Sequence, residues 1–429
     1  MTTEDQVLAA VDGVLGEAVE LCRELVRVPT LNPPGAEYRP CAELLGAWLR
    51  RLGYDVVYVA AEGLQEHTAE HPRVNVVGTL DFGRPGPTVH FNGHIDVVPP
   101  GGGWTRPPFG AVIEGGRIYG RGTADMKAGI AAMVYAVEAL RRAGYPIPGR
   151  IEQSGTVDEE SGGFAGVAYL CRRGLIRAGR TDYVVITEPL DPDRVCIGHR
   201  GVYWFEVTAR GRVAHGSMPH LGVNAIELMS LFIDRLRREL KPRLERRETA
   251  LPVVPEVARR PSMNVNGIVG GQTQKETLPT PCVADSCRAV FDRRFIPEES
   301  VAEVRREVEE ILLEIKAEVK GFDYEWRDLM VVEPVVTEGS SPLVRAFARA
   351  VKQVYGYEGA LVASPGTYDH KHVRRLGGVE HCIAYGPGRL ELAHQPDEYI
   401  EIEDLRRAMG VMALGLINLW EQERGQDAL

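Results

Sequence analysis

Five short segments of the 429-residue sequence carry histidine or acidic side chains where a strand is predicted to end or a helix to begin. Imidazole and carboxylate groups are common metal ligands, and carboxylates also serve as general bases. Ligands of open parallel sheets bind beyond the carboxyl ends of the strands, so we expect the five segments to converge on one crevice. The segments contribute His94 and Asp96, Asp125, Glu159 and Glu160, Glu188, and His394.

Each segment also has an ordinary structural interpretation when it is taken alone. A His-x-Asp pair such as His94 and Asp96 is often a hydrogen-bonded pair near a core, and Asp125 could be a helix N-cap. Three consecutive acids at 158–160 are usually a solvated turn. The functional interpretation therefore depends on all five segments sharing one edge of one sheet.

The surrounding sequence alternates apolar strand-like runs with amphipathic helix patterns. Predicted helices cover residues 4–27 and about 37–52, and a third follows Asp125 and stops at Gly144. Predicted strands cover 56–60, 74–80, 88–98, 151–157 and 183–187. This alternation predicts an α/β domain with a mostly parallel central sheet.

After Gly201 the pattern changes to β-α-β-β-α-β, the order of a small antiparallel ferredoxin-like sheet. The α/β pattern returns with a helix at 342–355, a strand at 380–385 and a helix at 403–422. We therefore expect a discontinuous catalytic domain of residues 1–200 and 333–429, with an α+β domain inserted at 201–332.

Composition excludes several classes of function. The net charge of −10 argues against a nucleic-acid partner, which needs a basic face. No run approaches 18 apolar residues, so no membrane span is predicted. The acidic N-terminus lacks a signal-peptide pattern, and the seven cysteines are scattered without a C-x-x-C pair. These features favour a cytoplasmic protein with reduced thiols.

The motifs GHIDVVP, GRGTADMKAG, DEESGG and TEP and the late AH resemble those of the M20 metallopeptidases and deacylases, in the same order. The resemblance extends over nearly the whole chain. It implies a zinc-peptidase-like catalytic domain carrying an inserted lid or dimerisation domain, and an enzyme that hydrolyses C–N bonds of a small molecule. It also implies a homodimer formed through the inserted domain.

The resemblance further implies a site for two divalent metal ions. Asp125 would bridge them, His94 and Glu188 would complete one position, and Glu160 and His394 would complete the other. Two imidazoles and three carboxylates suit Zn²⁺ best, with Mn²⁺ or Co²⁺ as alternatives, because no thiolate is present.

Three further residues take roles by the same resemblance. Asp96 would accept the far N–H of His94, and Glu159 would be the general base. His215, in the inserted domain, would donate a hydrogen bond to the oxyanion, from its own chain or from a partner subunit. A surface histidine in a glycine-rich turn is the alternative for His215.

Substrate-binding residues are less clearly marked, because two motifs depart from the family pattern. Glu276 occurs where many members have Asn, and Lys371 occurs where many have an Arg that grips a carboxylate. Lysine is a point charge and not a planar fork. Arg294 is a candidate anion binder, with a strand-surface salt bridge as the alternative, and Asn224 either contacts substrate or caps a helix.

The leading hypothesis is a dinuclear hydrolase that cleaves an amide of a small carboxylate-bearing substrate, an N-acyl amino acid or a short peptide. The alternative, motivated by Glu276 and Lys371, is an aminohydrolase or carbamoyl hydrolase acting on a non-peptide C–N bond, such as that of an aromatic amine. A metal-dependent scaffold without turnover would have no need for the non-ligand base Glu159.

Overall fold

The computed structural model describes residues 2–271 and 281–426, which form two compact units. The first unit comprises residues 1–198, 336–362 and 368–429, and the second comprises 199–335 and 363–367. Within the described residues, no helix is long and apolar enough to cross a membrane.

The chain alternates helices and strands through most of its length. The helices are α1 (Thr3–Arg27), α2 (Tyr38–Arg51), α3 (Ala128–Arg142), α4 (Val167–Arg172), α5 (Ala225–Arg235), α6 (Lys241–Glu245), α7 (Val301–Glu318), α8 (Pro342–Tyr355), α9 (His370–Arg375) and α10 (Ile402–Gln426). The strands are β1 (Asp55–Ala60), β2 (Val74–Asp81), β3 (Thr88–His94), β4 (Val112–Glu114), β5 (Arg117–Tyr119), β6 (Arg150–Thr156), β7 (Tyr183–Ile186), β8 (Arg194–His199), β9 (Gly201–Arg210), β10 (Ser262–Gly270), β11 (Ser286–Phe295), β12 (Asp323–Val332), β13 (Val335–Val336), β14 (Ala360–Ser364), β15 (His381–Ala384) and β16 (Tyr399–Glu401).

The central sheet has the order β1-β2-β6-β3-β7-β15-β8-β13, with β14 paired to β8. The predicted α/β class is confirmed, but the prediction of a mostly parallel sheet was wrong. Strands β6, β3, β7 and β15 run parallel as neighbours, whereas the β1-β2, β2-β6 and β15-β8 pairs are antiparallel. The sheet is therefore mixed, with a parallel centre.

Helix α1 shows why the N-terminal segment folds as predicted. Thr2 caps it by accepting a hydrogen bond from the Asp5 N–H, and the Asp5 carboxylate accepts from the Thr2 N–H. Val7, Val11 and Val14 recur at helical spacing and are fully buried. This apolar face lies where α1 packs against α3, which also contacts β3 and β6 of the sheet.

The second unit contains a four-stranded antiparallel sheet of order β10-β11-β9-β12. Helices α5 and α7 pack against this sheet. The ring of Phe205 stacks on Trp326 with centroids 4.3 Å apart and on Phe291 at 5.1 Å. Phe205 and Phe291 lie in a buried apolar core between sheet and helices, and the partly buried Trp326 packs against this core.

Candidate active site

The parallel centre of the first sheet brings most of the acidic and histidine segments to one edge. His94 is the last residue of β3, the acids at 158–160 follow β6, and Glu188 follows β7 by two residues. Strands β6, β3, β7 and β15 are adjacent and run in the same direction, so their carboxyl ends meet. His394 lies in the connection that leaves β15.

Asp125 reaches this edge from an irregular turn at Thr123–Lys127, directly before α3. The first turn of α3 packs closely on the segment after β7. A Cβ on Gly129 would lie 2.4 Å from the carbonyl oxygen of Thr187, the residue before Glu188. Glycine is therefore required at 129 for the first turn of α3 to pack this closely on the segment after β7.

The two carboxylate oxygens of Asp125 face two different imidazoles. Oδ1 lies 3.0 Å from Nε2 of His94, and Oδ2 lies 3.4 Å from Nε2 of His394. The same nitrogen of His394 is 3.1 Å from Oε1 of Glu160. Asp125 thus occupies the middle of a line of four side chains.

These side chains fit a divalent metal. Two ligand atoms bound to one ion at Zn²⁺ distances and a tetrahedral angle lie ~3.3 Å apart, close to the spacings seen here. His94, Asp125 and Glu160 form one group whose ligand atoms lie within 4.8 Å of one another, and His94, Glu159 and Glu188 form a second. Oε1 of Glu188 is buried and has no hydrogen-bond partner among the described residues, as expected of a ligand atom.

The electrostatics of the edge favour a positive charge between the ligands. Burial lowers the pKa of His94, but hydrogen bonds to Asp125 and Asp96 outweigh it and leave this pKa well above its ordinary value. Hydrogen bonds to Asp125 and Glu160 raise the pKa of His394 to about 10. Burial raises the pKa of Glu160 to about 7 and that of Glu188 well above its usual range.

Asp96 holds both His94 and the acidic turn. Nδ1 of His94 lies 2.9 Å from the Asp96 carbonyl oxygen and 3.5 Å from its carboxylate, so the backbone is the nearer acceptor. The carboxylate accepts hydrogen bonds from the N–H groups of Glu159 and Glu160 at 3.2 and 3.1 Å. It also accepts from Nδ2 of Asn32 at 2.8 Å. No sequence signal marked Asn32, which is 64 residues away along the chain.

Lys371 lies on α9 and is nearly buried beside the predicted base. Its Nζ is 3.6 Å from Oε1 of Glu159. Asp369, two residues earlier, is fully buried, and neither of its carboxylate oxygens has a hydrogen-bond partner among the described residues. Burial raises the pKa of Asp369 to about 7. Asp369 is an acidic residue close to Lys371 and Glu159 that sequence reasoning missed.

The other predicted site residues lie in the second unit or outside the described residues. His215 is exposed, and its Nδ1 lies 2.8 Å from the Ser217 hydroxyl. Asn224 caps α5 by accepting from the Ile226 N–H. Arg294 makes a two-pronged ion pair with Asp292 at 2.8 and 3.0 Å. Glu276 lies outside the described residues.

A buried ion pair between Arg121 and Glu398 also borders the site. Arg121 belongs to the GRGTADMKAG motif, and Glu398 follows His394 by four residues. Both are 1% exposed. The only signal in the sequence was that each lies four residues from a predicted ligand, and sequence reasoning missed both residues.

The α/β fold and this cluster of imidazoles and carboxylates define the class of a metal-dependent hydrolase. The chain belongs to peptidase family M20/M25/M40, whose model matches residues 90–418. The family resemblance read from the sequence motifs is confirmed, and the protein is a hydrolase acting on C–N amide bonds.

Two similar proteins bear the name succinyl-diaminopimelate desuccinylase. The one from Pseudomonas syringae pv. syringae is 30% identical over 400 residues, covering 91% of this chain and 96% of the relative. The one from Alkalilimnicola ehrlichii is 28% identical over 397 residues, covering 91% of this chain and 96% of the relative.

Solved structures share the fold. An M20 family metallo-carboxypeptidase from Sulfolobus solfataricus has a TM-score of 0.73 at 23% identity, covering 94% of this chain and 99% of that one. A Bacillus subtilis protein described as a dinuclear metal binding peptidase from the M20 family has a TM-score of 0.67 at 15% identity, covering 96% and 99%.

Proposed function

We propose that this protein is a dinuclear metal-dependent hydrolase that cleaves the amide bond of a small carboxylate-bearing substrate, an N-acyl amino acid or a short peptide. The observation that carries the proposal is the position of Asp125, whose two oxygens face His94 and His394 separately. A carboxylate placed in this way can contribute one oxygen to each of two ions.

The proposed ligand sets are those that the family resemblance implies, and the contacts of Asp125 with both histidines and of His394 with Glu160 support them. His94 and Glu188 hold one ion, Glu160 and His394 hold the other, and Asp125 is shared. Zn²⁺ is the ion that this donor set suits best, with Mn²⁺ or Co²⁺ as alternatives, because nitrogen and oxygen donors occur without sulfur.

Glu159 and Glu188 both lie close enough to His94 to be ligands, so their roles must be separated. Glu159 already faces the Lys371 ammonium at 3.6 Å, whereas Oε1 of Glu188 is buried without a partner. A buried carboxylate oxygen without a partner costs more free energy than a paired one, so a bound cation would stabilise it more. We therefore assign Glu188 as the ligand and Glu159 as the general base.

The residues of this chain divide the chemistry among them. When bound, the metal pair supplies Lewis acidity that polarises the scissile carbonyl and makes water more acidic. Glu159 accepts the proton of the attacking water and delivers it to the leaving amine nitrogen. Asp96 fixes the Glu159 backbone through its N–H, and Lys371 keeps the Glu159 carboxylate oriented. His215 keeps the role of oxyanion donor that the resemblance implies.

A second candidate function is supported by Lys371 itself. Its Nζ points to Glu159, and a lysine cannot reproduce the bidentate grip of an arginine on a substrate carboxylate. A substrate with a non-peptide C–N bond, such as an N-carbamoyl compound or an aromatic amine, would not require that grip. The M20 aminohydrolase alternative therefore stands beside the deacylase.

One substrate panel separates the two candidates. N-succinyl and N-acetyl amino acids and dipeptides are compared with N-carbamoyl compounds and aromatic amines, and the released acid, amine or ammonia is measured. We expect the carboxylate-bearing amides to be cleaved fastest, with chelator-treated protein as the control. Turnover of the N-carbamoyl compounds or aromatic amines alone would favour the second candidate, and hydrolysis of no compound would contradict both.

We also propose that residues 201–332 form a lid and dimerisation domain. β10 is an edge strand of its sheet, and Ile268 and Val269 on it are 52% and 61% exposed. An unpaired, apolar edge of this kind needs to be covered. Light scattering should give the mass of a dimer, and a monomer mass would contradict the proposal.

A further inference from the structure

The buried ion pair of Arg121 and Glu398 connects two segments that each carry a proposed metal ligand. Arg121 lies four residues before Asp125, and Glu398 lies four residues after His394. Nη1 of Arg121 is 2.5 Å from Oε2 of Glu398, and both side chains are almost completely buried.

Each partner also binds the backbone of the other segment. Arg121 donates hydrogen bonds to the carbonyl oxygens of His394 at 3.1 Å and Gln395 at 3.2 Å. In the opposite direction, Oε1 of Glu398 accepts from the N–H groups of Ala124 at 2.8 Å and Asp125 at 3.1 Å. The two segments are therefore cross-linked in both directions at the point where their ligands meet.

His394 needs this support more than the other proposed ligands do. Its backbone has a φ of 64°, in the left-handed region that non-glycine residues rarely adopt. Its side chain is 48% exposed, and its ring is held in the described structure by contacts to Asp125 and Glu160. A strained and exposed ligand keeps its position only when the surrounding structure fixes its backbone.

An ion pair is also an expensive way to join two segments inside a protein. Burying both charges removes their hydration, and apolar side chains of similar volume often stabilise a fold as well or better. What the pair supplies and apolar residues cannot is a set of directed hydrogen bonds to four backbone groups of the two ligand-bearing segments. We propose that Arg121 and Glu398 are positioning residues that hold His394 at the metal position it shares with Glu160 and Asp125.

This inference rests on the proposed two-metal site, and it predicts that substituting Arg121 weakens binding at only one of the two metal positions. Arg121→Lys keeps the positive charge but loses the fork that reaches two carbonyls and a carboxylate together. The position completed by His394 should lose affinity, whereas the position of His94 and Glu188 should keep it. Outer groups that orient ligands typically contribute ~10–100-fold to metal affinity, which sets the expected loss.

Arg117 supplies a matched control. It lies on β5 and pairs with Glu401 of β16 at 2.9 Å, so it joins the same two stretches of chain as Arg121 and Glu398. Its side chain is 40% exposed and makes no contact with a proposed ligand in the described structure. Arg117→Lys should change neither affinity by more than about twofold, as expected of a surface pair.

The test is a titration of chelator-stripped protein with Co²⁺ alone. Binding is monitored by calorimetry and by the visible absorption of the bound ion. We expect two ions in the unmodified protein, with ~10–100-fold weaker binding of one ion in Arg121→Lys. Glu398→Gln, whose amide would direct a donor at Arg121, should show the same selective loss. It keeps the test decisive if Arg121→Lys fails to fold.

The outcomes separate this inference from the function it rests on. Unchanged metal affinities in both Arg121→Lys and Glu398→Gln would overturn the positioning role alone. Equal weakening of metal binding in Arg121→Lys and Arg117→Lys would overturn it as well. Fewer than two ions in the unmodified protein, or two undiminished ions in His394→Ala, would overturn the two-metal assignment and the inference with it.

Discussion

The carboxyl edge of the central sheet and the core of the second unit are both buried, but they are filled with opposite kinds of side chain. In the second unit, Phe205 and Phe291 stack at 5.1 Å inside an apolar cluster, and the partly buried Trp326 packs against Phe205 at 4.3 Å. At the sheet edge, Glu188 and Asp369 have buried carboxylate oxygens without partners among the described residues.

The aromatic core of the second unit contributes to stability, whereas the acidic edge of the central sheet is suited to binding a cation. Burying apolar area stabilises a fold by ~25 cal/mol per Å². Burying carboxylates without counter-charges destabilises it, and here the result is a set of raised carboxyl pKa values, including those of Glu160 and Glu188. Substitutions at the sheet edge should therefore change metal binding or turnover, whereas substitutions in the aromatic core should change stability.

The largest expected effect is on turnover. Glu159→Gln removes the proposed base and should lower kcat by ~10²–10⁴-fold, the usual contribution of general base catalysis. Metal content, measured by mass spectrometry of the purified variant, should stay at the unmodified level. Glu188→Gln is the matched variant and should lose metal instead. Loss of metal in Glu159→Gln would make Glu159 a ligand and contradict the assignment.

Phe291→Ala tests the other side of the comparison. The ring is fully buried between Phe205 and Phe232, so its removal should lower the free energy of unfolding by ~3–5 kcal/mol. The measurement is denaturant unfolding of the variant beside the unmodified protein. Metal content per folded chain should be unchanged, and a loss of metal comparable to that of Glu188→Gln would show that the two regions are not separable.

Metal removal should destabilise the protein. An ion present at 100 times its dissociation constant stabilises the folded state by ~2.7 kcal/mol, so a chelator should lower Tm and an excess of ion should restore it. The measurement is thermal unfolding with chelator and after adding Zn²⁺ back. An identical Tm in both conditions would contradict a cation requirement at the acidic edge.

A smaller effect is expected at a buried carboxylate that is already paired. Glu152 accepts hydrogen bonds from Arg180 at 2.6 Å and from His90 at 3.2 Å, so Glu152→Gln should cost ~1.5–3 kcal/mol near neutral pH without changing metal content. Burial raises the pKa of Glu152, but the hydrogen bond to His90 and the charges of His90 and Arg180 leave it below its ordinary value of 4.5.

The pH dependence of that effect has a definite sign. A lowered pKa in the folded state stabilises the protein above pH 4.5, and the stabilisation is lost as pH falls through the folded value. The difference in unfolding free energy between unmodified protein and Glu152→Gln should therefore shrink as the pH is lowered below 4.5. A difference that grows at low pH would contradict the paired state of Glu152.

Sequence patterns predicted the main elements well where local periodicity decides them. The helix expected at 342–355 is α8 with the same bounds, and the helix expected at 4–27 is α1 at Thr3–Arg27. The meeting of His94, Glu160 and Glu188 was also predictable, because each follows a strand and adjacent parallel strands end together. The antiparallel direction of β1 and β2 was not predicted, because the apolar composition of a strand does not fix the direction of its neighbour.

The residues that sequence reasoning missed act through contacts between distant parts of the chain. Asn32 reaches Asp96 over 64 residues, and Arg121 reaches Glu398 over 277. No periodicity encodes such pairs. The sequence also could not decide the role of Arg294. Its ion pair with Asp292, two residues earlier on the same strand, depends on side-chain conformations that the motif does not fix.

The central claim is that the acidic edge binds two divalent ions, and metal stoichiometry tests it most directly. The full-length protein, stripped with chelator and reloaded with Zn²⁺, should contain two ions per chain by mass spectrometry after buffer exchange. An Asp125→Ala variant, which lacks the shared carboxylate, should retain less. A protein that retains no ion would contradict the metal site, and one ion per chain would contradict the bridging role of Asp125.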